Sequence, residues 1–540
     1  YQDRIKSSRT KVFIILFLYE NKRKLIRLLN MTTRSLETSL DQLMDNVDVF
    51  YSLWAGAMVF GMQCGFAMLC AGSLRQKNAK NIMLQNILDA CGGAIGFFLC
   101  GYAFAFGSNS NSFIGSTRDL FCIQGLTNGT DLIDFFFQFA FAASCATIVA
   151  GTIAERCKMF AYFSYAFTLT AFVYPIVVHA VWNKEGFLST ANESPLLGVG
   201  MIDFAGSGVV HMTGGMCALI GAIVLGPRIG RFYDENGNTL DEPHTFQPHS
   251  VALQCLGTFI LWFGWYGFNA GSTLGISGEN YGHVAALAAV NTTMSGAGGA
   301  VSSMILDSIM GYMMDGEVHY DLTMAMNGSL AGLVGVTGAC AVVEPWAGLV
   351  IGLVSGCIYC LGSSLLVKLK IDDSVDGVPV HLFAGMWGCI ATGLFAEPLR
   401  TKLAYGDSVE HFGWFYSWGR GSGDANLLLA EICGILFIVA WTCATMVPFF
   451  SLLDFFGLFR INPLEEMVGM DISRHRGPAY QHQLDESDKD IHKEAVDLLN
   501  QSRSQHKYNL KGNGNNNNGP AKDELDLSGN NPQDDINANV

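Results

Sequence analysis

About eleven stretches of the chain are apolar and long enough to cross a lipid bilayer, and this restricts the fold more than any other feature. A bilayer core about 30 Å thick needs about 20 apolar residues for each helical span. The stretches show no alternation of period two, so they are predicted to be helices and not barrel strands. They lie near residues 48–73, 84–106, 133–154, 158–182, 200–226, 248–271, 282–306, 322–343, 346–369, 378–397 and 427–457.

The composition supports a membrane protein. Half of the 540 residues are hydrophobic and only 15% are charged, whereas roughly a quarter of a soluble domain is charged. The 61 glycines suit the close approach of helices in lipid. No part of the charge pattern predicts nucleic-acid binding, and no motif requires a cofactor or a metal.

The chain divides into four parts. Residues 1–47 are expected to be a poorly ordered extension, because the apolar run Val12–Tyr19 is too short to span. Residues 48–457 form the eleven-helix domain, and residues 458–480 form a separate C-terminal segment. Residues 481–540 are polar and rich in asparagine and acidic groups, and this composition predicts disorder.

The short loops indicate how the chain crosses the membrane. Odd-numbered loops carry nine Lys and Arg residues and even-numbered loops five, and the more basic side is usually cytoplasmic. The N-terminus is therefore predicted outside and the C-terminus in the cytoplasm. Two sequons, at Asn128 and Asn192, fall in the second and fourth loops. Both are expected on the outside as glycosylation sites.

Two histidines interrupt apolar spans, each eight residues after an aspartate: Asp203 with His211, and Asp373 with His381. A polar side chain at membrane depth usually faces a cavity or a partner. An odd helix count and this repeated spacing favour a five-plus-five inverted repeat with one extra helix, and such repeats build one site at their interface. Neutral imidazoles suit a small hydrogen-bonding solute or a proton relay, and each aspartate is expected to cap a helix start. The alternative is two interhelical histidines with structural hydrogen bonds.

A second candidate site is the aromatic segment from Trp262 to Ser272. On a helix, Trp265, Phe268 and Ser272 share one face. Aromatic rings with a hydroxyl can hold a partly dehydrated cation, and Phe141 could add another ring. Packing alone is the alternative for such a stripe.

At this point the sequence resembles the ammonium transporter family, closest to its eukaryotic plant-type branch. The resemblance is carried by DFAGSGVVHMTGG, FGWYGFNAGS, AERCKMFAYFSYA and GMDISRHRGPAY, and it runs from about residue 48 to 480. It implies a plasma-membrane homotrimer in which each protomer has its own narrow pore. Ammonium, or its analogue methylammonium, would be recruited at an outer vestibule and deprotonated. Ammonia would then pass the paired histidines.

The resemblance also implies a role for each candidate residue. Ser272, Asp203 and Phe187 would form the vestibule, with Phe187 standing where the family usually has a tryptophan. Phe141 and Phe268 would be the gate rings. His211, His381 and Trp265 would line the pore, and Asp373 would be structural.

The segment MVGMDISRHRGPAY resembles the regulatory C-terminus of the family, which docks on a neighbouring protomer. Ser473 stands where relatives carry a phosphorylatable threonine, so a kinase is an expected partner. An added phosphate carries about −1.5 to −2 charges and could break a packed contact. An unmodified serine in an ordered tail is the alternative.

Three other functions compete with ammonium uptake. The same fold could act mainly as a sensor that signals through its tail. An intramembrane zinc enzyme would need a third ligand beside the histidines, and no H-E-x-x-H motif accompanies them, so the chain is not expected to be an enzyme. Within transport, a channel for neutral gas competes with net movement of charge, which the sequence does not decide.

Overall fold

A computed structural model describes residues 2–108, 112–419 and 421–480, together with Asp497 and Gln501. Within these residues the regular structure is helical, and extended pairing is limited to isolated bridges. The main helices are α1 (Gln2–Ser73), α2 (Gln76–Phe106), α3 (Gly129–Thr152), α4 (Met159–Trp182), α5 (Ser207–Leu225), α6 (Val251–Thr273), α7 (Tyr281–Asp315), α8 (Leu322–Thr337), α9 (Pro345–Lys368), α10 (Val378–Phe395), α11 (Asn426–Phe455), α12 (Pro463–Val468) and α13 (Met470–Arg474). The prediction of an all-helical membrane protein is confirmed for the described residues.

Ten of the described helices are long and apolar enough to cross a bilayer, and α8 is a shorter apolar helix. Its 16 residues reach only about 24 Å at 1.5 Å per residue. The buried turn 338–343 continues α8 where the sequence predicts the rest of the eighth span. The count of eleven spans and the inverted repeat therefore stay predictions.

The N-terminal extension is helical. Helix α1 begins at Gln2 and continues without a break into the first span, 33–73. Most of the described side chains between residues 18 and 47 are exposed, so this part of α1 has few packing contacts. The expectation that residues 1–47 are poorly ordered stays a prediction. The predicted disordered tail, 481–540, lies outside the described residues except for two positions.

Small residues let helices α7, α8 and α9 approach each other closely. A Cβ atom added at Gly299 would collide with the carbonyl of Gly328, and one added at Gly332 would collide with the carbonyl of Ser295. In α9, a Cβ at Gly356 would meet the carbonyl of Gly299. Backbone contact of this kind stabilises helix pairs in lipid, where apolar burial gives little driving force.

A buried ion network ties together the loops at one end of the bundle. Glu155 accepts hydrogen bonds from the Arg75 backbone at 2.7 Å and from Arg228 Nη1 at 3.1 Å. Arg228 Nε also pairs with Asp372 at 2.8 Å, and Arg156 Nη2 donates to the Asp372 carbonyl at 2.6 Å. Burial opposes ionisation of Glu155, but the charges of Arg228 and Arg75 outweigh it and lower its pKa to about 2.

The C-terminal segment docks on the first turns of α2 in the same chain. Asp471 in α13 accepts the backbone N–H groups of Lys80 and Asn81, both at 2.9 Å. Lys77 Nζ donates to the carbonyls of Glu466 and Met467 at 2.9 and 2.6 Å. These contacts lie within one protomer, whereas the resemblance implies docking on a neighbour. We call this end of the bundle the tail end.

Candidate functional site in the helix bundle

Helices α5 and α10 begin in the same way, with an aspartate that caps a widened first turn. Asp203 accepts the N–H groups of Gly206, Gly208 and Val209 at 3.2, 2.9 and 2.8 Å. Asp373 accepts the N–H groups of residues 375 and 378 at 3.3 and 2.7 Å. Each helix then starts with a π-turn, at 207–212 and 378–383. The equal Asp-to-His spacing therefore corresponds to a repeated local structure.

These two helix starts bring the histidines into contact. His211 Nδ1 lies 3.2 Å from His381 Nδ1, and the rings stack with centroids 5.3 Å apart and planes 16° from parallel. Both side chains are buried. The two Nδ1 atoms that α5 and α10 bring into the apolar interior therefore satisfy each other.

The contact restricts the protonation of the pair. A hydrogen bond between two Nδ1 atoms needs one donor and one acceptor, so one imidazole carries its proton on Nδ1 and the other on Nε2. Two imidazolium rings at this distance would place two donors against each other. His211 Nε2 has no partner among the described residues, so it remains available to a solute.

Further rings extend the pair into a column. Phe141 stacks on Phe268 with centroids 4.0 Å apart, and Phe268 lies 5.4 Å from His211. Beyond His381, Phe66 lies 6.2 Å away. These buried rings, from Phe141 to Phe66, form a continuous series that we call the ring column.

A cavity of about 270 Å³ lies at the Phe141 end of the column. Ser272 lines it together with Trp182 and Phe141. Ser272 Oγ donates to the Phe268 carbonyl at 2.8 Å, so its oxygen can still accept a hydrogen bond. Residues that also line the cavity are Phe106, Phe137, Gln138, Phe204, Thr273, Leu274, Tyr281, Val284, Leu403, Ala404 and Tyr405.

A second cavity, of about 520 Å³, lies at the tail end. Asp373, Asp376 and Tyr359 line it. Helix α1 shows that the two cavities are at opposite ends. Tyr51 bonds to Ala270 beside the first cavity, and Ser73, 22 residues later in α1, lines the second. That separation corresponds to about 33 Å of helix.

Trp265 lies against the histidine pair. Its ring is parallel to that of His211, with centroids 5.1 Å apart. Its Nε1 donates to Thr337 Oγ1 at 2.9 Å, which fixes the ring and satisfies its donor. Trp265, Phe268 and Ser272 share one face of α6, and Phe141 joins them from α3.

Phe187 lies away from the first cavity. Its ring packs edge-on against Phe437, with centroids 5.0 Å apart, and it is not among the residues that line the cavity. Trp182, at the end of α4, lines the cavity and meets Phe141 edge-on at 6.0 Å. Trp182, and not Phe187, therefore presents its ring to this cavity.

Asp203 supports the cavity indirectly. Its carboxylate is used by the backbone of α5, its carbonyl accepts Trp182 Nε1 at 2.7 Å, and it does not line the cavity. A buried carboxyl group that the pattern did not single out holds the preceding residue: Glu431 Oε1 accepts the Ile202 N–H at 2.8 Å. Glu431 is fully buried in α11, and an acidic residue inside an apolar span could have drawn attention to it.

The remaining candidates lie outside the column. Asn128 is exposed, and its side chain caps α3 by accepting the Asp131 N–H at 2.8 Å. Asn192 is half-buried, and its Nδ2 donates to the Gly186 carbonyl at 3.0 Å. Ser473 is buried in the docked C-terminal segment.

Comparison with known proteins assigns the family. The model of the Ammonium Transporter Family matches residues 49–480. The chain belongs to the ammonium transporter family. It is 43% identical to ammonium transporter 1 member 1 of Solanum lycopersicum, over 77% of this chain and 83% of the relative. It is 44% identical to ammonium transporter 1 member 2 of Arabidopsis thaliana, over 78% and 80%.

Solved structures agree with this assignment. A protein named Sensor Amt Protein superposes with a TM-score of 0.68 at 32% identity, covering 80% of this chain and 99% of its own. Mep2 of Saccharomyces cerevisiae superposes with a TM-score of 0.67 at 28% identity, covering 78% and 88%. The resemblance drawn from the sequence is confirmed. The family supports ammonium transport and a role as a multi-pass membrane transporter, not an enzyme.

The support from Glu431 can be tested by substitution. Glu431→Gln keeps an acceptor for the Ile202 N–H, so we expect near-normal stability and transport. Glu431→Leu leaves that buried donor unpaired, at a cost of about 1–3 kcal/mol, and should lower both thermal stability in detergent and the ammonium transport rate. Glu410→Leu, at an exposed position, is the control. A Glu431→Leu variant as stable and active as the wild type would contradict this role.

Proposed function

We propose that the chain takes up ammonium across the plasma membrane through the ring column, from the Ser272 cavity to the Asp373 cavity. The observation that carries this proposal is the 3.2 Å contact of two buried imidazoles between cavities at opposite ends of the bundle. A proton-sharing pair in an apolar passage suits a small solute with one lone pair and several N–H donors, which describes ammonia.

The Ser272 cavity is proposed to be the outer vestibule. Trp182 and Phe141 offer ring faces to a cation, and Ser272 offers an oxygen acceptor, so a partly dehydrated ammonium ion would be stabilised there. The sequons support this direction. Asn128 precedes α3 at the end opposite Glu155, and Asn192 lies in the loop that follows Trp182. The N-terminus is then outside and the docked C-terminal segment cytoplasmic.

Below the vestibule, Phe141 and Phe268 must separate for a solute to pass, because their rings are in contact. A hydrated ion would lose its water there, which is costly in a low-dielectric passage. We propose that ammonium transfers its proton to His211 Nε2, and that ammonia continues past His381. The proton passes across the shared Nδ1–Nδ1 hydrogen bond to His381 and is released towards the Asp373 cavity, so one proton accompanies each ammonia and transport moves net charge.

The assembly and regulation proposed for the chain follow from the family. Each protomer is proposed to have eleven spans in a five-plus-five inverted repeat, and three protomers to form a trimer with separate pores. Phosphorylation of Ser473 by a kinase is proposed to release the C-terminal segment. The buried position of Ser473 means that a phosphate there could not stay in the docked arrangement.

Sensing is the alternative function, because one structural neighbour is named a sensor. A sensor would bind ammonium with little flux, whereas the proposed transporter sustains current. A recording of ammonium current therefore distinguishes a transporter from a sensor.

Saturable, voltage-driven ammonium current is the first expected result in cells that express the chain. Trp182→Leu should raise the half-saturating ammonium concentration, because it removes a ring face worth about 0.5–2 kcal/mol to a cation. Phe187→Leu is the matched control, since Phe187 does not line the cavity, and should leave that concentration unchanged. Uptake that followed only the ammonia concentration, with no current at any pH, would contradict the proposal.

Acidic substitutions of the histidines should let potassium pass. His211→Asp or His381→Glu adds negative charge and attracts water to the passage, so an ion could pass without losing its water. His211→Ala leaves the partner imidazole unpaired, at about 1–3 kcal/mol, and should mainly slow transport by roughly 5- to 150-fold. Potassium and ammonium currents recorded in the same cells test this. Acidic variants that exclude potassium and keep wild-type ammonium rates would show that the pair only packs.

Ser473→Asp should inhibit transport by all protomers of a trimer if the C-terminal segments act jointly. The charge would enter a buried position in the docked C-terminal segment and favour undocking. Ser473→Ala is the control and should stay active. Mixed trimers with a known ratio of wild-type and Ser473→Asp chains provide the measurement. Activity simply proportional to the wild-type fraction would rule out coupling between protomers.

A further inference from the structure

Between Asn81 and Asp89, helix α2 buries four polar residues and exposes several apolar ones. Asn81, Gln85, Asn86 and Asp89 are all buried. Asn81, Gln85 and Asp89 recur every four residues, and Asn86 precedes Asp89 by three, so the four share one face. The residues between them include the exposed Met83, Leu84 and Ile87. This pattern suits a helix with lipid on one side and a polar interior on the other.

Most of the polar atoms on this face have no partner in the protein. Among the described residues, no hydrogen bond reaches Gln85 Oε1 or Nε2, Asn86 Oδ1, Asp89 Oδ1 or Asn81 Nδ2. Five unpaired atoms on three turns of one helix are far more than the few that native interiors tolerate. Buried polar groups without protein partners are ordinarily bonded to ordered water, each molecule making about three hydrogen bonds.

Asp89 at the inner end of this face lacks a cationic partner among the described residues. It accepts one hydrogen bond, from the Tyr162 hydroxyl at 2.6 Å. The titratable groups that face it are Tyr162 and Tyr165 from α4 and Cys70 from α1, and α3 contributes none among its described interactions. A buried carboxylate without a counter-charge favours binding a proton.

The Asn81 end of the polar face lies beneath the docked C-terminal segment. Asn81 Oδ1 is 2.8 Å from His475 Nε2, and the Asn81 N–H bonds to Asp471. From Asn81 to Asp89 the helix rises about 12 Å. The face therefore leads from the tail end of the bundle into its interior, beside α1 and α4.

We propose that ordered water molecules follow this face of α2 from Asn81 to Asp89, and that Asp89 is a protonatable site supplied with protons from the tail end. The ligands of the site are water and the proton. The Asp89 carboxylate binds a proton to become the carboxylic acid, and it becomes the carboxylate again when the proton leaves. Gln85 and Asn86 hold the water molecules between Asn81 and Asp89. This site is independent of ammonium conduction, and the docked segment covers its entrance.

Infrared spectroscopy of the full chain in lipid vesicles tests the proposal without relying on transport. We expect the carbonyl band of a protonated carboxylic acid, which shifts when the vesicles are moved into heavy water and disappears in Asp89→Asn. Gln85→Leu together with Asn86→Leu should keep the band but slow its shift, because the water path is interrupted. Thr442→Val removes a buried hydroxyl on α11, away from α2, and should change neither.

Three results would overturn the proposal: no Asp89-dependent acid band at any pH, a band that never shifts in heavy water, or an unchanged shift rate in the double leucine variant. Melting temperatures of all variants in the same vesicles show that each is folded. If the double variant does not fold, Gln85→Leu alone replaces it with the same expected slowing. If the wild-type chain carried no ammonium current but showed the Asp89 band, the proposed transport function would fail and this site would be unaffected.

Discussion

The hydrogen bond between His211 and His381 determines much of the arrangement around it. Two polar rings in an apolar interior are stable there because each satisfies the other, and this requires α5 and α10 to begin at matched depths. Asp203 and Asp373 set those beginnings by holding the first backbone N–H groups. The structure therefore positions a contact between two side chains by controlling where two helices start.

The surrounding elements support this arrangement from both sides. Glu431 and Trp182 hold the backbone at the Asp203 cap: Glu431 accepts the Ile202 N–H, and Trp182 donates to the Asp203 carbonyl. At the tail end, Glu155 and Asp372 tie the loops together through arginines. Apolar burial contributes little to helix association in lipid, so these polar contacts and the close glycine packing of α7 to α9 carry much of the specificity.

The sequence predicted the parts of the site that depend on local spacing. The Asp-to-His interval predicted the shared site of the two histidines, and helical period placed Trp265 and Ser272 on one face. The sequence did not predict the contacts that join segments far apart along the chain. Trp182 was missed because the fold of the following loop decides which ring faces the cavity, and Glu431 because its partner lies 229 residues away.

The protonation of the histidine pair is the central claim and can be measured directly. Nitrogen NMR of the protein labelled at histidine, with His381→Glu used for assignment, distinguishes the two neutral tautomers from imidazolium. The shared hydrogen bond and the burial of both rings together predict one ring protonated at Nδ1 and the other at Nε2, both neutral at physiological pH, with a coupling across the hydrogen bond. An imidazolium signal from either ring, or the same tautomer in both, would contradict the account.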